Sequence, residues 1–203
     1  NSHKHSDLNL ELPIYNGKYS ATCYIDETIN ALADMCQKRN LNTAQHLRQI
    51  PALFMHRPFH RMPINAFTII YLYALSIGNS DDLDELSGYA NIADVNHHDL
   101  FQELQQRPNI SEYPLIGKIN YEPLPLTQIV AKTCQKEKNF QDLILHKLDF
   151  GSELTKEMGN IYSGSVFGWL AAGLEDAIAN NIDWTHKEAL LFGYGSGDAA
   201  EVI

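Results

Sequence analysis

Runs of apolar residues recur along the chain with two different periods, and the period separates helix from strand. After Asn16-Gly17, a turn signal, the chain reads as a short strand or turn leading into a helix. Ile25, Ile29, Leu32 and Cys36 follow at steps of three and four, which predicts one buried helical face, with Asp26, Asn30 and Lys38 left to water. Cys23 and Cys36 are then expected core residues. Ala52-Leu53-Phe54-Met55 is a continuous apolar run after Pro51 and predicts a buried strand ending at His56-Arg57-Pro58. From Ile64 to Ile77 the chain is apolar nearly all round, which predicts a buried helix stopping near Gly78-Asn79.

The stretch 79–125 carries less periodicity, with Asp81, Asp82, Asp84, Glu85 and the pair His97-His98. It reads as short helices and loops, with the two histidines in a solvated loop. Phe140 to Leu148 reads as helix again. After Gly159 a longer helix is expected to run to about Ala179, with Val166, Leu170, Leu174 and Ile178 as its seam. Gly164, Gly168 and Gly173 lie along it. A glycine inside a helix costs about 1 kcal/mol against alanine, so three of them point to a close neighbour, either a backbone or a ligand. Glu188 to Gly193 reads as a central strand opening into Tyr194-Gly195-Ser196-Gly197. Strands alternating with helices give an α/β layered fold. There is no internal repeat and no low-complexity tract.

Composition narrows the classes of function. With 203 residues, 44% of them hydrophobic, the chain can bury a sizeable core. Fifteen basic against twenty-five acidic residues give a net charge of −10, which argues against broad electrostatic capture of nucleic acid or an anionic membrane. A local basic entrance for a phosphorylated ligand remains compatible with it. Three irregularly spaced cysteines, Cys23, Cys36 and Cys134, make neither a disulfide framework nor a zinc knuckle, so the cytoplasm is the expected location. No apolar run approaches the roughly 20 residues that cross a bilayer, and the polar opening lacks a signal-peptide pattern. The absence of an initial methionine fits a processed, truncated or partly observed polypeptide.

Three stretches carry candidate chemistry, each beside a plainer alternative. Gly193-Tyr194-Gly195-Ser196-Gly197 follows a strand and can offer backbone N–H groups to a ligand oxygen, or be a tight structural turn. It matches no dinucleotide, Walker or hydrolase-elbow pattern. His56 closes an apolar run and precedes Arg57-Pro58-Phe59-His60-Arg61. Two histidines and two arginines in six positions can bind an anion or orient a carbonyl, whereas a metal would need ligands that nothing in the sequence identifies. Gly159-Asn160-Ile161-Tyr162-Ser163-Gly164-Ser165 opens a helix, where Asn160 or Ser163 can cap it or can present donors to a carbonyl oxygen.

In this order the stretches resemble the hydroxymethylglutaryl-CoA synthases. Asn16-Gly17-Lys18-Tyr19-Ser20 followed by Tyr24 is similar to that family's DG-x-x-S-x-x-x-Y pattern. Met55-His56-Arg57-Pro58-Phe59-His60-Arg61-Met62 is similar to FH-x-PF-x-KM. Residues 159–165 match GN-x-YT/S-x-S, and Phe192 to Gly197 match F-x-YGSG. Asn16, Met55 and Arg61 depart from the pattern. Arg61 keeps the charge of the usual lysine with a different geometry. Residues 79–150 run longer than expected between the second and third motifs and are read as a possible insertion.

The resemblance implies a thiolase-like fold, this chain being the C-terminal half of an α/β/α/β/α arrangement. It implies a condensing enzyme in which a cysteine accepts an acetyl group and a glutamate deprotonates it. The enolate then attacks an acetoacetyl thioester, and water releases the product. That cysteine and glutamate are expected in an N-terminal half not found here. By the same resemblance His56 and Asn160 hold the acetoacetyl group, the Ser196 N–H contributes to an oxyanion hole, Tyr162 and Gly195 line the acyl pocket, and Arg61 meets ligand phosphate. The expected partners are an acyl-CoA or acyl-carrier-protein substrate, the missing N-terminal half and a second copy in a homodimer, with neither nucleic acid nor membrane. No cofactor or metal is expected. CoA substrates of mevalonate and isoprenoid synthesis and carrier-protein substrates of polyketide β-branching both fit. So does a different class of function, an inactive thiolase-like module kept for partner binding or dimerisation.

Overall fold

The computed structural model describes residues 17–107, 123–158, 161–162, 164–195 and 199–203. Helix α1 (Gly17–Arg39) begins directly at Gly17, where a strand or turn was expected. Its apolar steps bury Ile29, Leu32 and Cys36 almost completely and set the helix on the sheet. Helix α2 (Thr43–Gln49) starts where the Asn42 side chain accepts the Gln45 N–H at 2.8 Å, satisfying one of the orphan donors of the first turn. Strand β1 (Leu53–Met55) is wholly buried, as a continuous apolar run should be.

Helix α3 (Met62–Ser76) carries a proline in its first turn, where no backbone donor is lost, and is buried along most of its length. The next helices pack around it. They are α4 (Ser80–Ile92), α5 (His97–Gln105), α6 (Pro125–Cys134) and α7 (Lys138–Leu143), followed by a 3₁₀ turn (Leu145–Leu148). His97 and His98 open α5 behind an Asn96 cap, so they belong to a helix and not to a loop. Leu86, Leu100, Val130, Phe140 and Leu148 join the same hydrophobic core as β1 and α1. Lys147 is buried beneath them, its Nζ donating to the carbonyls of Arg48 and Ile50 at 3.1 and 2.7 Å.

Helices α8 (Ser152–Met158) and α9 (Gly164–Ala179) lead to β2 (Leu190–Gly195) and β3 (Ala199–Val202). The sheet has the order β1-β2-β3, so β2 is central. It runs parallel to β1 with Met55 opposite Phe192, and antiparallel to β3 with Gly193 opposite Glu201.

The face that α9 turns inward differs from the expected seam. Leu174 and Ile178 are 46% and 77% exposed, while Ser165, Val166, Trp169, Ala172, Gly173 and Ala177 are buried. Small residues win because they let the helix approach β1: a Cβ on Gly173 would overlap the Phe54 ring, and one on Gly151 would overlap the Gly173 backbone. Trp169 locks the contact, with its Nε1–H donating to the Phe150 carbonyl at 2.6 Å and its ring edge-on to Phe54. The glycine argument therefore holds at Gly173, where the close neighbours are a ring and a backbone. Gly168 faces the side chains of Met158 and Ile161 and no backbone.

Candidate active site

His56 sits one residue beyond β1, where its N–H still donates to the Phe192 carbonyl at 3.0 Å. Three elements converge on it. From α1, the Tyr24 hydroxyl donates to the His56 carbonyl at 2.8 Å. From the start of α9, Ser165 Oγ lies 3.1 Å from His56 Nδ1 and accepts the Arg57 N–H at 3.2 Å. From β2, the Tyr194 ring lies 6.0 Å from the imidazole and 5.2 Å from Tyr24, edge to face with the latter. These contacts fix the backbone and the ring plane of a side chain that is only 9% exposed.

Burial sets the electrostatics. It lowers the His56 pKa from the ordinary histidine value, opposed by a hydrogen bond with the Tyr162 backbone. The imidazole is therefore neutral at pH 7 and carries one N–H. Burial pushes the Tyr24 phenol far up, so it keeps its proton and acts as a donor.

The same hydrogen bond brings Tyr162 to His56 across more than a hundred residues of sequence. Tyr162 holds a left-handed backbone at φ +55°, a conformation uncommon outside glycine, and its side chain is 75% exposed. Gly195 ends β2 one residue after Tyr194, and a Cβ there would meet open space. Asn160 and Ser196 lie outside the described residues. Arg61 is placed elsewhere. It stands at the start of α3 and lines a cleft of about 710 Å³ that does not include His56.

Sequence reasoning gave Tyr24, Ser165 and Tyr194 no role. Tyr24 and Ser165 were visible only as motif positions, and nothing local says that a tyrosine on a helix and a serine in another helix's first turn reach one histidine. No group of three or more metal-ligating side chains occurs among the described residues, nor does any helix there have the length and apolarity to cross a membrane.

The family model described as hydroxymethylglutaryl-coenzyme A synthase C terminal matches residues 3–203. The chain belongs to that family. Its domain is thiolase-like, in keeping with the mixed α/β fold. Two hydroxymethylglutaryl-CoA synthases of Dictyostelium discoideum, named B and A, are 24% and 26% identical to it over 201 residues, and one of Gibberella zeae is 23% identical over 212. Each alignment covers 97% of this chain. The chain spans only 36%, 35% and 40% of those relatives. Within a hydroxymethylglutaryl-CoA synthase domain, the histidine at the end of β1 is the side chain that all three converging elements hold in place.

Proposed function

We propose that this chain supplies the acceptor side of a condensing enzyme that joins an acetyl group to an acetoacetyl thioester, with His56 contacting the acceptor ketone. The observation that carries this reading is a buried, neutral imidazole fixed where the end of β1, the start of α9 and the end of β2 meet. When the enolate of the acetyl thioester attacks the ketone carbon, a carbon–carbon bond forms and negative charge moves to the ketone oxygen. The single imidazole N–H, held against the Tyr162 backbone in the free protein, would turn from that partner to donate to this charge. Tyr162, Gly195, Asn160 and the Ser196 N–H complete the pocket in this reading.

The thiols support a nucleophile supplied from outside these 203 residues. All three cysteines are buried. Burial raises the Cys36 pKa and takes that of Cys134 to about 12, so neither is a thiolate at neutral pH. On α9, Phe167, Leu174 and Ile178 are 69%, 46% and 77% exposed, an apolar face fit to be covered by the remainder of a longer enzyme. The relatives' names favour CoA substrates over carrier-protein ones.

The test is pre-steady-state. In the complete enzyme, His56→Ala should slow discharge of the labelled acetyl-enzyme onto acetoacetyl-CoA by about 10²-fold and leave acetyl-enzyme formation nearly unchanged. Equal slowing of both steps would remove the acceptor role. A complete wild-type protein that never forms an acetyl-enzyme would favour the inactive module.

A further inference from the structure

Ser165 stands in the first turn of α9, and its hydroxyl is not used as a helical hydroxyl usually is. A serine or threonine inside a helix commonly turns back onto a carbonyl three or four residues earlier, as Thr28 does in α1 with Ile25 and Tyr24 at 3.0 and 2.6 Å. The corresponding carbonyls for Ser165 are those of Tyr162 and Ile161. They accept backbone N–H groups instead, from Ser165 itself at 3.0 Å and from Gly164 at 3.2 Å. Among the described residues the Ser165 hydroxyl meets two groups, the Arg57 N–H at 3.2 Å and His56 Nδ1 at 3.1 Å.

A hydroxyl brings one proton and two lone pairs. The Arg57 N–H occupies one lone pair, and because it belongs to the backbone of the residue after His56, it pins the hydroxyl beside the ring. A proton on Nδ1 would occupy the second lone pair and leave the hydroxyl's own proton without an acceptor. Ser165 is only 5% exposed, so water does not readily replace that acceptor, and a buried donor without a partner is costly. The arrangement that spends every group has Ser165 donating to an unprotonated Nδ1. The one N–H of the neutral ring then sits on Nε2, and it is this N–H that meets the Tyr162 backbone.

We propose that Ser165 is a positioning residue for His56, its hydroxyl donating to Nδ1 and so holding the imidazole as the tautomer with its proton on Nε2. The consequence for the reaction rests on the acceptor role of His56 given above. With Nδ1 tethered, Nε2–H is the donor that exchanges the Tyr162 carbonyl for the ketone oxygen. In the other tautomer Nε2 would present a lone pair to that oxygen, which repels the charge developing there. The tautomer itself follows from the hydroxyl's partners and stands whether or not His56 serves a condensation.

The test reads the ring nitrogens by NMR in the resting complete enzyme carrying isotope-labelled histidine, with the His56 signals identified by their loss in His56→Gln. Wild type should show Nδ1 as the unprotonated nitrogen and the proton on Nε2. Ser165→Ala should move the Nδ1 resonance, and Ser165→Thr, which keeps the hydroxyl, should return it toward wild type. Ser165→Ala should also slow discharge of the acetyl-enzyme onto acetoacetyl-CoA about tenfold, more than it slows acetyl-enzyme formation. If Ser165→Ala fails to fold, Ser165→Cys carries the comparison, because a thiol is a weak donor. A proton on Nδ1 in wild type, or an unmoved Nδ1 resonance in a folded Ser165→Ala or Ser165→Cys, would overturn the proposal. So would normal discharge in the Ser165 variants when His56→Ala discharges slowly. A moved resonance with normal discharge in both Ser165→Ala and His56→Ala would uphold the tautomer assignment and remove the acceptor role of His56 instead.

Discussion

Between Ser76 and Leu148 the molecule is assembled from neighbours, each helix packing on those close to it in sequence and on α3. The layer around the sheet is assembled from strangers: α1, β1, α9 and β2 meet only after the chain has travelled through all the helices between. The two regions treat polar groups differently. On the helical side, the buried Asp82 pairs with Arg48 and accepts from Asn42 and the Asn79 N–H, both at 2.9 Å. Glu85 beside it accepts from Tyr71, Tyr89 and Arg48 at 2.8, 3.1 and 3.0 Å. Both of these acids are answered, by Arg48 and by neutral donors from neighbouring helices. At the end of β1, by contrast, Arg57 keeps two buried donors unanswered.

That contrast can be broken experimentally, and the largest effect should come from the helical side. Phe140, fully buried edge-on to Tyr71 and Tyr89, should cost about 3–5 kcal/mol as Phe140→Ala. Because its core is continuous with that of the sheet, urea unfolding should stay a single transition. Two resolved transitions would mean the regions fold separately. Asp82→Ala should come next, at about 2–3 kcal/mol, since it strips a cap and leaves the Arg48 and Asn42 donors unpaired. A loss under about 0.5 kcal/mol would show that the network is not closed as described.

A smaller effect should come with pH. Burial lowers the pKa of His46, His56, His60 and His146. The unfolded chain therefore binds more protons than the folded one between those lowered values and the ordinary value of about 6.5. Stability should fall as pH drops through that window. From about pH 7.5 down to about pH 6, urea midpoints should decrease, with the raised Asp26 and Asp149 carboxyls acting in the opposite sense. A flat or rising profile would contradict the direction. Three of the four histidines stand around the β1 end and its cleft, so His56→Gln with His146→Gln should flatten the slope. The smallest effect should follow Arg39→Ala. Its exposed bidentate pair with Glu188, at 2.7 and 2.9 Å, joins the end of α1 to the approach of β2, and the loss should fall within the scatter of replicate melts.

Much of this was legible before the fold was known, wherever a single local pattern decides. The apolar run at 52–55 is β1 plus one residue, and the apolar stretch 64–77 is α3 to within two. The strand expected from Glu188 is β2, central as read, shifted by two residues. Helices α4 and α5 were obscured by their acids and histidines, although Asn79 and Asp82 spell out the capping box that starts α4. The inward face of α9 was misjudged because large apolar residues outweigh small ones in any sequence reading, whereas close packing rewards the small. For the site, the position of His56 at a strand end was legible. Its partners were not, because Tyr24 and Ser165 reach it only through the tertiary fold. The positive charge of Arg61 was equally plain, but its place in a cleft that His56 does not line depends on the tertiary fold.

The contact between Gly151 and Gly173 restricts how such a sequence can drift. Gly151 holds φ +69° against the backbone of α9, and Gly173 lies against Phe54 on the other side. A side chain at either position would wedge the helix outward, and a second change elsewhere would be needed before the first became tolerable. Trp169 rides on the same helix one turn away, so the wedge would also lift the surface on which Arg57 rests. The depth of a charged group is thus inherited from two positions that carry no side chain.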